Sequence, residues 1–504
     1  MNKKTRVRFA PSPTGGLHLG GVRTVLYNYL FAKQSGGDFI VRIEDTDQSR
    51  FVPGAEEYIF NTLKWCGLEP DESPVHGGPY APYRQSERKE NYRKYAEQLV
   101  AAGYAYYAFD STEELEAKRK EVPNFQYSHA TRMQMSNSLS LDAEAAAKKI
   151  SGPLVIRIKM PENETVQFTD LIRGEVSFNT SQVDDKVLLK ADGMPTYHLA
   201  VVVDDYLMKI THAFRGEEWL PSAPVHILLW KYLGWENEMP QWAHLPLILK
   251  PDGNGKLSKR DGDRLGFPVF AMDWTDPKTG ETTVGFKERG FLPEAFVNLL
   301  ALLGWNDGTD TELFSLDELV QKFSLARVHK GGAKFDYEKA KWFNHEWIKK
   351  SPIPVLLPQV EKLLKAEKFS TPSDEQLEKV ISLVKDRCTL LPDFVQQSGF
   401  FFKTPVQIDT AAIKPKWDET KNLFFTELVR AYQLCEFWDA AELEKEFKEL
   451  ASVNKLKPGE LMLPLRIMLV GGKFGPGVFD IGALIGKEET IKRIEHTLSL
   501  LQPV

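Results

Sequence analysis

The sequence predicts an α/β fold with a parallel sheet at the N-terminus and an all-α region at the C-terminus. Residues 6–47 contain a strand, a glycine-rich loop, a helix and a second strand, which is the order of a βαβ unit. From about residue 330 apolar residues recur at helical spacing, and no clear series of strand hairpins follows residue 350. The 504 residues are enough for about three or four domains of ~150 residues each.

The βαβ unit begins with a short strand over Arg6 to Ala10, where basic and apolar residues alternate. Apolar residues at i, i+3, i+4 and i+7 spacing then predict a helix: Val22, Val25, Leu26, Tyr29 and Leu30. Ser35-Gly36-Gly37 ends this helix. Phe39 to Ile43 predicts a buried strand that leads directly into Glu44. Because such units bind ligands at the carboxyl ends of their strands, we expect a binding site at this edge.

Composition excludes several classes of protein. With 42% hydrophobic and 27% charged residues, the chain has the composition of a soluble globular protein. The net charge of −6 excludes an all-over basic coat for nucleic acid, although it is compatible with a local basic patch. No stretch approaches the ~20 apolar residues of a membrane span. No apolar run follows the charged residues at the N-terminus, so we expect no signal peptide. The three scattered cysteines indicate a reducing compartment, so we expect a cytoplasmic protein.

The loop Thr14-Gly15-Gly16-Leu17-His18-Leu19-Gly20-Gly21 has the features of a phosphate site. Exposed amides at the start of a helix attract phosphate, and glycines let the phosphate approach the backbone. The imidazole of His18 can donate to a phosphate oxygen. The alternative interpretation is a glycine-rich turn with a surface histidine.

A second basic motif, Lys256-Leu257-Ser258-Lys259-Arg260, follows the loop Pro251-Asp252-Gly253-Asn254-Gly255. Two lysines on a mobile loop could stabilise the charge that builds on a pyrophosphate leaving group. A solvated basic surface is the alternative.

Together these motifs resemble the two ATP motifs of class I aminoacyl-tRNA synthetases. The fourth position of the first motif is Gly21 and not histidine, a departure that is usual in the glutamyl and glutaminyl branch. Further segments match that branch: FIVRIEDTD at 39–47, GPYAPYRQSER at 78–88, GMPTYHLA at 193–200 and FRGEEW at 214–219. The resemblance covers nearly the whole chain. In these segments the sequence is similar to the bacterial-type glutamyl-tRNA synthetases.

The resemblance implies a Rossmann-like class I synthetase catalytic domain with an inserted acceptor-contacting subdomain, followed by an all-α anticodon-binding region. The implied division is a first catalytic half at 1–89, an inserted subdomain at 90–195, a second catalytic half at 196–248, a stem-contact region with the KLSKR loop at 249–332, and a helical anticodon-binding domain at 333–504.

The implied reaction is the ATP-dependent activation of L-glutamate to glutamyl-adenylate and its transfer to the 3′ end of tRNA-Glu. Catalysis would rest on positioning and on charge stabilisation by His18, Lys256 and Lys259. Mg²⁺ would accompany ATP, held by phosphate oxygens and water. The implied ATP contacts are Gly20, Gly21, Glu218, Trp219 and Ile248 together with the three catalytic residues, although Trp219 could instead be core packing.

For glutamate, the resemblance implies that Glu44 pairs with the ammonium group. Arg8, Ser12 and Tyr197 would line the pocket, and Arg215 would bind the side-chain carboxylate. A buried arginine without its carboxylate is costly, so neutral glutamine should be rejected. The alternative for Arg215 is an internal ion pair with Glu217 or Glu218. For Glu44, Asp45 and Asp47 the alternative is helix capping or another structural role. Asp45 and Asp47 are left out of the site.

Some relatives hold zinc in the inserted segment with cysteines and histidine. Here no cysteine lies between Cys66 and Cys388, and His129 alone cannot hold the metal, so no zinc site is expected. The segment otherwise predicts an aromatic strand at 104–109 and a helix at 112–121.

In the C-terminal region Ser373 and Asp439 predict helix starts, and the last helix carries Ile491, Ile494, Leu498 and Leu501 on one face. By resemblance, glutaminyl relatives end in β-barrels and bacterial glutamyl ones in helices. Arg387 would read the anticodon's first base; an exposed arginine at a helix end is the alternative. No coiled-coil motif is evident, so we expect a monomer.

Three other functions fit the sequence less well. A smaller-substrate nucleotidyltransferase conflicts with Gly21, the chain length and the helical C-terminal half. A non-catalytic tRNA-binding protein would need broken ATP motifs. A related family that modifies tRNA with glutamate lacks the anticodon module. Whether tRNA-Gln is also charged is left open by the sequence.

Overall fold

The computed structural model describes residues 3–370 and 372–501. The chain divides into two compact units. The first comprises Met1–Glu288 and Pro293–Tyr337, and the second comprises Arg289–Leu292 and Glu338–Val504. No helix among the described residues is long and apolar enough to span a bilayer.

All the strands of the described residues belong to the first unit. They are β1 (Arg6–Phe9), β2 (Asp38–Val41), β3 (Ala105–Ala108), β4 (Val155–Ile158), β5 (Thr165–Asp170), β6 (Gly174–Asn179), β7 (Val187–Leu189), β8 (His212–Gly216), β9 (Gln241–Leu245), β10 (Ile248–Leu249), β11 (Trp274–Thr275), β12 (Thr282–Thr283) and β13 (Ala333–Lys334).

Helices of the first unit surround these strands, and the second unit is helical. The helices up to residue 322 are α1 (Leu19–Gln34), α2 (Ala55–Trp65), α3 (Lys89–Ala101), α4 (Thr112–Glu121), α5 (Ala143–Ile150), α6 (Tyr197–Leu207), α7 (Ala223–Tyr232), α8 (Lys259–Leu265), α9 (Pro293–Leu302) and α10 (Leu316–Lys322). Those that follow are α11 (Tyr337–Lys350), α12 (Ile353–Ala366), α13 (Asp374–Val384), α14 (Asp393–Phe402), α15 (Glu419–Leu434), α16 (Ala440–Val453), α17 (Pro458–Val470), α18 (Val478–Ile485) and α19 (Lys487–Leu501).

The central sheet has the order β2-β1-β8-β9-β5-β6, and the pairs from β2 through β5 are parallel. The predicted βαβ unit is confirmed, since β1 pairs in parallel with β2 after the crossover through α1. The second strand is shorter than the sequence predicts. It ends at Val41, because Ile43 then bonds to the backbone of Tyr83 and Gln85 in place of β1. From β1 the order runs to β2 on one side and to β8 on the other, so the sheet has a topological switch point beside β1.

The segment 90–195 contributes to two sheets. Its strands β3, β4 and β7 form a separate antiparallel sheet, whereas β5 and β6 join the central sheet beside β9. The helix predicted at 112–121 is confirmed, and Ser111 caps it in a reciprocal capping box with Glu114. A large apolar core links this segment to the central sheet through α3, α6 and α7, with Tyr92, Trp230 and Trp242 among its buried residues.

The second unit contains helices α11–α19 and, among its described residues, no strand. Ser373 caps α13 by accepting from the backbone of Gln376, and Asp439 caps α16 by accepting from Glu442, at the predicted helix starts. On the final helix Ile494, Leu498 and Leu501 are buried, which confirms the predicted apolar face.

Candidate active site

A cleft of about 1070 Å³ opens at the carboxyl ends of β1, β2, β8 and β9. Its position at the topological switch point is where open parallel sheets bind ligands. The cleft brings together most of the residues that the sequence singled out: Arg8, Ser12, His18, Gly20, Gly21, Glu44, Tyr197, Arg215, Glu218, Trp219, Ile248 and Lys256. Lys259 is not among the lining residues, and Arg387 belongs to the second unit.

His18 caps the N-terminus of α1. Its Nδ1 accepts a hydrogen bond from the backbone N–H of Gly20 at 3.2 Å, so the ring proton is on Nε2. That Nε2 atom is buried and finds no partner among the described residues. Burial, and to a smaller extent the charge of Lys256, lower the pKa of His18 to about 4. His18 is therefore a neutral donor at physiological pH, directed by the helix cap.

The glycine-rich loop lies against Trp274. A Cβ at Gly16 would come within 2.8 Å of the Trp274 ring, so this close approach needs glycine. Leu19 also donates to the carbonyl of Val269 at 2.9 Å. The segment that follows the KLSKR motif is thus hydrogen-bonded to the glycine-rich loop.

The KLSKR motif lies on the other side of the cleft. Lys256 lines the cleft and donates to Glu218 at 2.5 Å, in a pair that is largely exposed. Ser258 begins α8 in a capping box with Asp261, and Lys259 is the first residue of that helix, half-buried. Lys256 therefore faces the cleft with its charge paired to Glu218, whereas Lys259 follows Ser258, the last residue of the motif that lines the cleft.

Trp219 and Ile248 flank the same part of the cleft. Trp219 is 45% exposed, with its ring 4.7 Å from that of Tyr197, so core packing is the wrong interpretation for it. Ile248 is buried at the start of β10, and its carbonyl accepts from Leu257 at 2.9 Å. The exposed indole and the buried isoleucine give the cleft an apolar surface of the kind that an adenine ring would contact.

Arg215 forms no ion pair with Glu217 or Glu218, so that alternative is wrong. Glu217 pairs with Arg173, and Glu218 pairs with Lys256. Arg215 instead donates to neutral groups: Nε to His244 Nε2 at 2.8 Å, and Nη1 to Tyr197 Oη and His226 Nδ1 at 3.1 Å each and to Ser222 Oγ at 3.3 Å. Its Nη2 is buried and has no partner among the described residues. A buried cation with an unused donor is suited to an anionic ligand.

Arg8 and Glu44 are held by one buried ionic network. Arg8 donates through Nε to Asp205 at 3.0 Å, and Arg42 donates to Asp205 at 2.8 Å and to Glu44 at 3.1 Å. Burial raises the pKa of Glu44 to about 7, and the nearby arginines Arg42 and Arg8 act against this rise. The carboxylate of Glu44 is therefore poised between its two protonation states in the free protein.

Ser12 and Tyr197 also line the cleft and differ in exposure. Ser12 is exposed in the loop after β1. Tyr197 is half-buried as the first residue of α6, where its hydroxyl accepts from Arg215.

Asp45 and Asp47 follow β2 and are hydrogen-bonded to serines. Asp45 accepts from the backbone N–H and the hydroxyl of Ser86 at 2.8 and 2.6 Å, and Asp47 accepts from Ser49 at 2.6 Å. The carboxylates of both aspartates are thus hydrogen-bonded to serines of the chain.

No sequence signal indicated the residues that support Arg215 and Arg8. Asp170, Asp205, His226 and His244 belong to none of the motifs that the sequence analysis singled out. Asp170 and His244 are 74 positions apart, and Arg8 and Asp205 are 197 apart. Only strand pairing and helix packing bring them together.

In the second unit, Arg387 is exposed at the end of the 3-10 turn Lys385–Arg387 that follows α13. The pKa of Arg466 on α17 is lowered mainly by burial and to a smaller extent by the positive charge of Arg387. Arg466 donates to the carbonyls of Phe474, Gly475 and Pro476 at 3.2, 2.9 and 2.6 Å.

Residues 3–370 and 372–501 contain no group of three or more His, Cys, Asp or Glu side chains placed to hold a metal ion. In the cleft, Asp45 is bonded to Ser86 and Glu218 to Lys256. A divalent cation in this cleft would therefore need most of its ligands from a substrate and from water.

Comparison with known proteins covers both units. The family model for the catalytic domain of class I tRNA synthetases (E and Q) matches residues 4–342, and the anticodon binding domain model matches residues 354–498. Glutamate–tRNA ligases of Parabacteroides distasonis and Phocaeicola vulgatus are 51% and 52% identical over 503 residues, with 99% of each chain covered. The crystal structure of a glutamate tRNA ligase from Elizabethkingia meningosepticum, in complex with its amino acid, has a TM-score of 0.95 and 50% identity, covering 99% of this chain and 100% of that one.

These matches confirm the fold class and the resemblance that the motifs indicated. The anticodon model also excludes the related tRNA-modifying family, which lacks that module. With the catalytic model over residues 4–342 and relatives of 51% identity over 503 residues, the chain belongs to the glutamate–tRNA ligases, in the glutamyl and glutaminyl branch of the class I tRNA synthetases.

Proposed function

We propose that this chain joins L-glutamate to the 3′ end of tRNA-Glu in two steps at the cleft of the first unit. The glutamate carboxylate attacks the α-phosphate of ATP, which gives glutamyl-adenylate and pyrophosphate. The terminal ribose hydroxyl of tRNA then attacks the activated carbonyl and releases AMP. Neither step needs a side-chain nucleophile, so catalysis rests on positioning and charge.

The single observation that carries this proposal is the unpartnered Nη2 of Arg215, in the same cleft as the neutral donor His18. The guanidinium would bind the γ-carboxylate of glutamate. Glu44 would bind its ammonium group, with Arg8, Ser12 and Tyr197 lining the pocket around it.

ATP would lie along the start of α1, where Gly20 and Gly21 leave the backbone open. His18 Nε2–H would donate to a phosphate oxygen, and Lys256 and Lys259 would stabilise the charge on the pyrophosphate. Lys256 would exchange Glu218 for phosphate, a small cost because exposed ion pairs are worth about 0–1 kcal/mol. Trp219 and Ile248 would contact the adenosine. Mg²⁺ would arrive with ATP, bound by its phosphates and by water.

We also propose a division of labour along the chain. Residues 1–89 and 196–248 would supply the catalytic halves, 90–195 would contact the acceptor end, and 249–332 would contact the stem. Residues 333–504 would bind the anticodon, with Arg387 at its first base. The family's role in translation supports a cytoplasmic location, and we propose that the chain acts as a monomer without zinc.

The test is aminoacylation of purified tRNA-Glu and tRNA-Gln with radiolabelled glutamate and, separately, glutamine. Glutamylation of tRNA-Glu is the expected result, and attachment of glutamine in place of glutamate would overturn the proposal. The same assay shows whether glutamate is also placed on tRNA-Gln.

A further inference from the structure

The guanidinium of Arg215 is enclosed by groups that carry no charge. The acceptors are two imidazoles, a phenol and a hydroxyl, and its Cζ lies 4.8 Å from the centroid of the Trp242 ring. No carboxylate among the described residues is paired with it. Buried arginines ordinarily have a carboxylate partner, so this arrangement is costly unless a ligand supplies the charge.

Strand register places His244 beside Arg215. The two are directly paired neighbours in β8 and β9, so their side chains lie on the same face of the sheet. Arginine has donors only, so the Nε2 of His244 must accept the bond from Arg215 Nε. The ring proton of His244 is therefore on Nδ1.

Asp170 fixes that tautomer. It ends β5, which pairs with β9 at Trp242, and its Oδ2 accepts from His244 Nδ1 at 2.5 Å with both side chains fully buried. Its Oδ1 accepts from the backbone N–H groups of Ile172 and Arg173 at 2.9 Å each. Burial opposes ionisation, but the bonds from His244 and from this backbone hold the pKa of Asp170 below its usual value. Asp170 is thus a charged acceptor that is linked to Arg215 only through the ring of His244.

A second imidazole, that of His226, also accepts a hydrogen bond from Arg215. Arg215 Nη1 donates to Nδ1 of His226 on α7, so the proton of His226 is on Nε2, which lies 3.2 Å from Nδ1 of His198 on α6. Burial lowers the pKa of His226 well below its usual value and that of His198 to about 4. Both rings are neutral at physiological pH.

We propose that Asp170 and His244 are positioning residues that set the selectivity for a carboxylate over an amide, because they orient Arg215 through a neutral imidazole and leave its charge unneutralised. This rests on the proposed function, in which Arg215 binds the γ-carboxylate of glutamate. A carboxylate bonded directly to Arg215 would neutralise it in the free enzyme, and the uncharged side chain of glutamine would then fit at little cost. Because the ring of His244 separates the Asp170 carboxylate from Arg215, the orientation of Arg215 is fixed while its full charge remains for the substrate.

The variant Asp170→Asn tests the tautomer. Its amide oxygen remains opposite the backbone N–H groups of Ile172 and Arg173, so its NH₂ group faces Nδ1 and the backbone N–H of His244. The proton of His244 then moves to Nε2, where it opposes the Nε–H of Arg215. We expect the KM for glutamate to rise ~10- to 100-fold, the range for one unpaired buried polar group, with the KM for ATP changed less than about twofold. The ratio of kcat/KM for glutamate over glutamine should fall as well.

A double-mutant cycle with His244→Gln separates positioning from folding. The introduced amide oxygen can accept from Arg215 and has no tautomer, so H244Q should retain most of the glutamate affinity, and adding D170N to H244Q should cost less than about threefold. The apolar variant H244L should behave like D170N. If D170N does not fold, the comparison of H244L with H244Q carries the test, since both leave Asp170 bonded to the backbone.

Two results would overturn the inference. One is D170N with an unchanged KM for glutamate. The other is an equal loss when D170N is introduced into the unmodified enzyme and into H244Q, which would indicate a structural role only. Failure of the proposed function gives a different result. In that case the unmodified enzyme would not attach glutamate to tRNA-Glu, or Arg215→Ala would leave the KM for glutamate unchanged.

Discussion

Glu44 accepts a hydrogen bond from Arg42 at 3.1 Å, and the Arg42 side chain has no exposed surface. This pair forms the base of the proposed ammonium site. It connects the residue proposed to bind the substrate ammonium to the buried ionic network of Arg42, Asp205 and Arg8, so it has consequences for both binding and stability.

The pH dependence of glutamate binding follows from Glu44. Burial raises its pKa to about 7, so below that pH the free enzyme carries a neutral carboxyl, which cannot pair with the substrate ammonium. Affinity for glutamate should therefore be complete above about pH 8 and fall as the pH drops through 7, approaching about tenfold per pH unit. Calorimetric titration with glutamate from about pH 5.5 to 8.5 measures this. Glu44→Gln should bind weakly at every pH, and a flat profile in the unmodified enzyme would contradict the assignment.

Replacing Arg42 by methionine should destabilise the first unit. The change leaves Asp205 and Glu44 buried with a charge partner removed, and breaking such a pair costs about 3–5 kcal/mol. Urea unfolding measures the loss. Lys148→Ala is the matched control, because its pair with Glu144 is exposed on both sides and should leave the midpoint unchanged. Equal midpoints for R42M and K148A would refute the importance of the network.

Loss of either lysine of the KLSKR motif should slow adenylate formation. Lys256→Ala and Lys259→Ala each remove one proposed contact to the leaving pyrophosphate, with an expected loss of ~10²–10³-fold in the single-turnover rate with tRNA present. Arg260→Ala is the control, because Arg260 is an exposed cation of the same motif and has no role in the proposed site. A K259A rate like that of R260A would restrict the role to Lys256, which is the lysine that lines the cleft.

Arg215→Ala should damage glutamate use far more than ATP use. Removing a buried charge contact should raise the KM for glutamate by about 30-fold or more and leave the KM for ATP nearly unchanged. Arg215→Lys keeps the charge but cannot reproduce the separate bonds to His244, His226 and Tyr197, so it should rescue only part of the loss. A KM for ATP that rises while that for glutamate stays constant would show that the pocket is wrongly assigned.

Arg387→Ala tests the anticodon proposal. We expect the KM for tRNA-Glu to rise about tenfold, the effect of one base contact, with the KM values for glutamate and ATP unchanged. Lys379→Ala on the preceding helix is the control, since Lys379 is exposed and paired with Glu375. The rise in KM caused by Arg387→Ala should be smaller for a tRNA-Glu altered at the anticodon's first base than for unaltered tRNA-Glu. An equal rise for the altered and the unaltered tRNA would indicate that Arg387 contacts a phosphate.

The sequence predicts the local elements well because their causes are local. Helix α4 has a capping serine and a charged body, and β1, α1 and β2 follow from alternation and from helical spacing. The cleft residues of the two ATP motifs could be named from the resemblance. The partners of Arg215 could not, because Asp170 meets His244 only after β5 pairs with β9, and a tautomer leaves no trace in composition or spacing. The early end of β2 has a similar cause, since Ile43 bonds to the distant Tyr83.

The pairing of β5 with the central sheet also limits how such a chain can be divided. Asp170 lies within residues 90–195, the stretch proposed as an insertion between two catalytic halves. Its carboxylate nevertheless bonds to His244, which accepts from the arginine proposed to choose the amino acid. Excising residues 90–195, or exchanging them for the equivalent part of a distant homologue, would remove the carboxylate that bonds to His244 along with the surface proposed to contact the acceptor end. Chimeras of this family should therefore keep the β5–β6 hairpin with its own parent's β9.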